Sequence, residues 1–335
     1  MQYKVLNPRQ FLITKNNLFY RRKKMNELRK DYILERYVII ATDRGKRPHQ
    51  FKTKEAESKE EVDYFAPGNE SKTPSEIERV PDGKGSWKLR VFPNMFAATK
   101  PEGDYNIKTD NEFYTYSSAY GYHEIIVETP DKRQLWDLSK DEIKTVLELI
   151  KKRFNAIKSK DGIKYVCLFK NHKQEAGCSI AHSHFQLIST NHIPCIIQEK
   201  IDAVKRLGGD PYDKIIAREK DSYRRAFENN SIIAFCPYAS RFPFELLILP
   251  KQYASDINSV NLDDLSEVLQ KTLAKLKDLN APFNMVFHYS PTQKDGLRFQ
   301  IEVLPRLATW AGFEFFGTII NTMPPEEAAK FYRGE

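Results

Sequence analysis

One order of segments occurs twice in this chain, and nothing else in the sequence constrains the fold as strongly. Each copy runs strand, proline stop, amphipathic helix, strand, turn, strand. In the first copy GYHEIIVETP is stopped by Pro130, KYVCLFKNH follows the helix, and AHSHFQLIST closes the set. In the second, PFELLILP is stopped by Pro250, FNMVFHYSP follows its helix, and LRFQIEVLPR closes. A repeat this long makes each copy one αβ unit, and short strands joined by hairpin-like turns predict antiparallel sheet in an α+β class. The helices announce themselves. Ser139 and Glu142 form a capping box, and Ile143, Val146, Leu147, Ile150 and Phe154 repeat at helical spacing until Gly162. In LDDLSEVLQKTLAKLKDL the apolar positions are 262, 265, 268, 269, 273 and 276. Upstream, Tyr37 to Ala41 reads as a strand running into a basic loop, and WKLRVFP as a strand ended by Pro93. Residues 1–24 are expected to form a flexible basic extension, followed by an N-terminal unit over 25–195 and a C-terminal unit over 196–335.

Bulk properties exclude several classes. No run approaches ~20 apolar residues, so no membrane span is expected, and the N-terminus lacks the apolar core of a secretory signal. Cys167, Cys178, Cys195 and Cys236 are scattered without a CxxC pair, which reads as neither a disulfide framework nor a zinc knuckle. A reduced, cytoplasmic setting is expected. The net charge of +8 is spread along the chain apart from RRKK, so it predicts attraction to small anions such as sugar phosphates and no nucleic acid partner.

The stretch AGCSIAHSHFQLI, residues 176–188, carries the candidate chemistry. In a strand, residues two apart share a face, so His182, His184 and Gln186 align while Ser183, Phe185 and Leu187 face the other way. Neutral imidazole is a nucleophile near pH 7. Its attack on phosphorus gives a covalent phosphoramidate that a second acceptor discharges, provided that the other ring nitrogen is held as N–H by an acceptor such as a backbone carbonyl. A Gln amide donates to phosphate oxygens without readily passing on a proton, which favours transfer over hydrolysis. Gly177-Cys178-Ser179 is small enough to bring backbone N–H groups and a hydroxyl to a phosphate. The motif alone also fits a hydrogen-bonded pair of buried histidines or a metal site. In the second copy Gln300 and Glu302 stand roughly where the histidines were.

The surrounding segments resemble the galactose-1-phosphate uridylyltransferase family of the histidine-triad superfamily, including its ADP-glucose phosphorylase-like relatives. ELRKDYILERYVIIATDRGKRP is similar to the family's opening, and APGNESKTPSEI to its Cys-x-x-Cys-x-Gly-Asn-Glu segment without the cysteines. RVFPNMFAA, GYHEIIVETPDK, FKNHKQEAGCSIAHSHFQ, CPYASRFPFELLILPKQ and GFEFFGTIINTMPPEEAAKFYR follow in family order. The resemblance implies a HIT-like fold of two tandem units and a ping-pong transfer. A nucleotide sugar such as UDP-glucose gives its nucleoside monophosphate to a histidine, and a hexose 1-phosphate such as galactose 1-phosphate takes it away. It implies His184 as nucleophile, with His182 and Gln186 beside it. Arg44, Arg47, Asn94, Asn171 and Ser179 would bind the nucleotide and phosphates, and Glu314 the hexose across a homodimer interface. An ADP-glucose phosphorylase-like enzyme with phosphate as acceptor, or a non-catalytic nucleotide-binding protein, are the alternatives. Two departures stand out. Ser183 replaces the proline between the histidines, and the positions of a structural zinc site are Asp63, Ala66 and Lys132, with only His182 kept. A second metal site retains His288, with Gln300 and Glu302 at other positions. No metal cofactor is therefore expected.

Overall fold

A computed structural model describes residues 26–42 and 62–335. In chain order its elements are β1 (Glu27–Lys30), β2 (Tyr37–Ile40), β3 (Glu78–Pro81), β4 (Trp87–Pro93), β5 (Lys108–Thr109), β6 (Thr115–Tyr116), β7 (His123–Val127), α1 (Lys140–Lys158), β8 (Tyr165–His172) and β9 (His184–Thr190). There follow α2 (Cys195–Leu207), α3 (Pro211–Glu219), β10 (Arg225–Glu228), β11 (Ile232–Phe235), β12 (Leu246–Pro250), α4 (Leu262–Asp278), β13 (Phe283–His288), β14 (Gln300–Pro305), β15 (Thr318–Asn321) and α5 (Pro325–Arg333). None of these helices is long and apolar enough to cross a membrane.

The repeat in the sequence is a repeat in space. One sheet of ten strands runs β10-β11-β12-β14-β13-β8-β9-β7-β4-β3. Read outward from its centre, β8-β9-β7-β4-β3 and β13-β14-β12-β11-β10 are the same arrangement. The centre is an antiparallel seam in which Asn284 pairs with Asn171 and Met285 with Lys170. Every ladder in this sheet is antiparallel. A separate sheet, β1-β2-β15, joins the two ends of the described chain, with β15 parallel to β2.

The two capped helices pack together on the sheet. Ser139 accepts from the Glu142 N–H, and the Glu142 carboxylate reaches back to the Ser139 N–H, as the capping box requires. Asn261 caps α4 by accepting from the N–H groups of Asp263 and Asp264. Ile143, Val146, Leu147, Ile150 and Phe154 of α1 are buried, as are Leu265, Val268, Leu269, Leu273 and Leu276 of α4. All ten belong to one core cluster that draws on both units. Full burial of each such side chain stabilises by roughly 1.5–3 kcal/mol, and truncating one, Leu273→Ala for instance, costs about 2–5 kcal/mol through the cavity left behind. This rigid layer fixes β8 and β9, and β9 carries the motif.

Candidate active site

The β9 ladder opens at His184, where Val127 pairs with it, and Ile125 pairs with Gln186. The expected strand is therefore shortened: His182 and Ser183 precede the ladder, and His182 is turned by a bend rather than aligned by the pleat. Alternation holds for His184 and Gln186 alone. Both imidazoles still lie edge-on to Phe65, with centroid separations of 6.2 Å for His182 and 5.4 Å for His184.

His184 is buried, and its Nδ1–H donates to the His182 carbonyl at 2.8 Å. A carbonyl only accepts, so the proton of the neutral ring is placed on Nδ1. Among the described residues nothing bonds to Nε2, which keeps its lone pair. Burial, reinforced by the Lys170 ammonium, pushes this imidazole down to about 4, against the partial support of the His182 carbonyl. The ring is thus neutral at physiological pH and anchored at one nitrogen with the other available.

Ser183 has a physical explanation in the structure. Its hydroxyl donates to Glu128 Oε2 at 2.9 Å and accepts from Lys170 Nζ at 2.9 Å. Lys170 in turn pairs with Glu128 Oε1 at 2.8 Å, both side chains being essentially inaccessible, and reaches the His184 carbonyl at 3.3 Å. A proline could supply neither bond, and a buried ion pair needs its remaining donors and acceptors satisfied.

His182 is fully engaged. Its Nε2 donates to the Thr129 carbonyl at 2.7 Å, and its Nδ1 meets the Asp63 carboxylate at 2.9 and 3.1 Å. The pairing of Asp63 directly with His182, beside the non-ligating Ala66 and Lys132, does not fit a four-ligand zinc site. Nor do His288, Gln300 and Glu302 fit a second metal, because the Lys200 ammonium already sits among them. It lies 2.8 Å from His288 Nδ1, 3.3 Å from Gln300 Oε1 and 2.5 Å from Glu302 Oε1. Among the described residues no group of three or more His, Cys, Asp and Glu is arranged to hold a metal ion.

The other expected site residues divide. Asn94 comes within 3.1 Å of His123, which also contacts Gln186, so Asn94 joins the site. Asn171 accepts from Asn284 across the seam at 2.8 Å, which leaves its own amide donors turned toward the Gly177 turn. In that turn the Gly177 N–H closes on the Gln174 carbonyl and the Cys178 N–H on the Lys173 carbonyl. Those two groups are spent on the turn and do not serve as phosphate donors, contrary to expectation; the exposed Ser179 remains. Among the described residues Glu314 hydrogen-bonds only within its own turn, accepting from the Ala311 N–H at 2.8 Å. Arg44 and Arg47 lie outside the described residues. Sequence reasoning did not assign His123 or Lys170 to the site, since a polar residue inside an apolar strand carries no label of its partner.

A doubled antiparallel αβ unit, with a neutral histidine at the head of β9 in one copy, defines the class of duplicated HIT-like proteins. The comparisons narrow this. Residues 12–194 match the N-terminal domain of galactose-1-phosphate uridyl transferase, and the chain belongs to that family. It is 32% identical to an ADP-glucose phosphorylase of Arabidopsis thaliana over 92% of each chain. It is 27% identical to a galactose-1-phosphate uridylyltransferase of Thermotoga maritima, over 92% of this chain and 98% of that one. The crystal structure of an ADP-glucose phosphorylase from Arabidopsis thaliana with bound ADP-glucose aligns with a TM-score of 0.79 and 30% identity, over 93% of this chain and 99% of that one.

Proposed function

We propose that this protein carries a nucleoside monophosphate on His184 Nε2, taking it from a nucleotide sugar and passing it to a phosphate-bearing acceptor. The observation that carries this reading is the ring itself: neutral, fixed through Nδ1, and unpaired at Nε2 among the described residues. The Nε2 lone pair attacks the α-phosphorus and an N–P bond forms. The P–O bond to the sugar-bearing phosphate breaks, and its electron pair leaves with hexose 1-phosphate. An acceptor oxygen then attacks the same phosphorus and the N–P bond breaks, returning the pair to Nε2. The proton stays on Nδ1, donated to the His182 carbonyl throughout, and Gln186 donates to a phosphate oxygen.

The greater similarity to ADP-glucose phosphorylase, 32% against 27%, favours ADP-glucose as donor and inorganic phosphate as acceptor. Uridylyl transfer from UDP-glucose to galactose 1-phosphate, a reaction of galactose metabolism, is the second reading, supported by the full-length likeness to the Thermotoga enzyme. The unpaired Nε2 argues against a purely binding role. A homodimer in which Glu314 serves the neighbouring subunit accords with the exposed Phe313, Phe315 and Phe316 around it.

Incubation with ADP-glucose and, separately, UDP-glucose, read by intact mass, tests the proposal. A gain of one nucleoside monophosphate names the base, and discharge by phosphate or by galactose 1-phosphate names the acceptor. No gain from either donor sinks the transfer reading. Metal analysis of the purified protein is expected to show no stoichiometric zinc; one equivalent overturns the conclusion that the Asp63–His182 pair stands in its place.

A further inference from the structure

His123 opens β7 and is buried, diagonally across the ladder from Gln186. The approach of the two strands depends on Gly121, where a Cβ would lie 1.9 Å from the Ser189 carbonyl oxygen. On the other side of His123 runs the segment 94–98. The Ala98 backbone N–H points at His123 Nδ1, 3.1 Å away. A backbone N–H only donates, so Nδ1 is the accepting nitrogen and the proton of the neutral ring sits on Nε2. Burial lowers the affinity of this ring for a second proton. Nε2 lies 2.9 Å from Gln186 Oε1. The Asn94 amide nitrogen is 3.1 Å from the same Nε2 but does not bond to it, since both carry protons; the Asn94 oxygen is held instead by the Phe96 N–H at 2.8 Å.

We propose that His123 is a positioning residue for the transfer reaction, which fixes the flip of the Gln186 amide. The proton on His123 Nε2 requires the Gln186 oxygen to face it. The Gln186 NH₂ is then left for a phosphate oxygen on the face that it shares with His184. With the amide flipped, donor would meet donor at His123 and an acceptor would meet the phosphate. The Ala98 N–H therefore acts two steps away: it sets the tautomer, and the tautomer sets the amide. This couples the segment that contains Asn94 to the phosphate end of the site. The inference rests on the transfer reading above and adds a residue to it.

Two substitutions separate this role from mere packing. Asn at 123 can accept from Ala98 but cannot reach Gln186, whereas Gln at 123 places an amide where Nε2 was. Single-turnover formation of the nucleotidyl adduct, followed by quenched intact mass, is expected to slow about 10-fold or more in His123→Asn. Nucleotide-sugar affinity should stay within about threefold, and His123→Gln should recover most of the rate. In a Gln186→Ala background His123→Asn is expected to cost nothing further, because its effect passes through that amide. Additive losses, or equal losses in the Asn and Gln variants, overturn the proposal in favour of a packing role. Long-range ¹H–¹⁵N spectra of the resting protein check the geometry without any turnover: a protonated Nδ1 at His123 overturns it too. If the spectra give the Nε2–H tautomer and the wild type forms no adduct from either donor, the transfer reading has failed, and the assigned role fails with it.

Discussion

The two halves of the sheet spend the same positions differently. Strands β9 and β14 occupy equivalent places, opening at His184 and Gln300, with Gln186 and Glu302 two residues on. In the second half the matching positions are all engaged: Gln300 accepts from Lys200 and donates to the Tyr212 hydroxyl. Glu302 is held by Lys200 and by Arg241, the latter at 2.6 Å, and His288 Nδ1 faces the same ammonium. Burial alone would raise the Glu302 carboxyl, but the Lys200 and Arg241 cations overturn that and hold it well below the usual range. Even the residue two places before the strand is used alike. Arg298 donates to the Pro250 carbonyl, much as His182 donates to Thr129 beside the matching Pro130. What separates the two positions is the ring at His184, whose Nε2 has no hydrogen-bond partner among the described residues, where Gln300 is bonded through both amide atoms. The same strand position thus becomes a candidate site in the copy where it carries a nucleophile with a free lone pair, and a closed polar cluster in the other.

The largest test of this contrast is deletion of the two imidazoles. His184→Ala is expected to lower adduct formation by about 10⁴-fold or more, while His288→Ala leaves it within about twofold; comparable losses erase the distinction. Next come the two buried lysines. Lys170→Met strands Glu128 without a cation and should destabilise by about 3–5 kcal/mol in urea titration. Lys200→Met should cost less, because Arg241 still holds Glu302. A third test uses pH. The ordinary imidazole value near 6.5 falls to about 4 in folded His184, so below ~6.5 the unfolded chain binds a proton that the native state refuses. Stability present above that value is lost as pH drops toward 4, by about 3 kcal/mol from this ring. In His184→Asn the loss between pH 7 and pH 4.5 should shrink; an unchanged slope assigns the sensitivity elsewhere, His172 with its imidazole pushed down to about 3 being the next source. Smallest is Ser183→Ala, expected to cost about 1–2 kcal/mol by leaving Glu128 and Lys170 each one partner short.

Much of this was legible in the chain. α1 and α4 were, because their caps and apolar period are local, and the duplication was, because two strings can be compared without knowing the fold. His184 and Gln186 followed from strand alternation. The helices α2 and α3 went unread although the signals were present: Ile197, Ile201 and Val204 at helical spacing, and Asp210 capping α3 ahead of Pro211. The four-residue strands β1, β10 and β15 were not readable, since so short a strand is defined by a partner elsewhere. The same limit hid the site's supports. Ser183 looked like a departure until Glu128 and Lys170, on other strands, met its hydroxyl. His182 looked like an orphaned metal ligand until Asp63 met its ring.

The parallel pairing of β15 with β2 bears on how the chain is born. Residues 37–40 leave the ribosome long before their partner, residues 318–321. The seam strands β8 and β13, by contrast, face each other across a shorter stretch of chain and can close while synthesis continues. The small sheet then closes after the seam, its Ala41 N–H held by the Asn321 carbonyl at 2.7 Å. The chain that follows Ala41 carries Arg44 and Arg47. A chain synthesised only as far as the seam would thus hold a formed histidine centre while β2 still lacks β15 beside it.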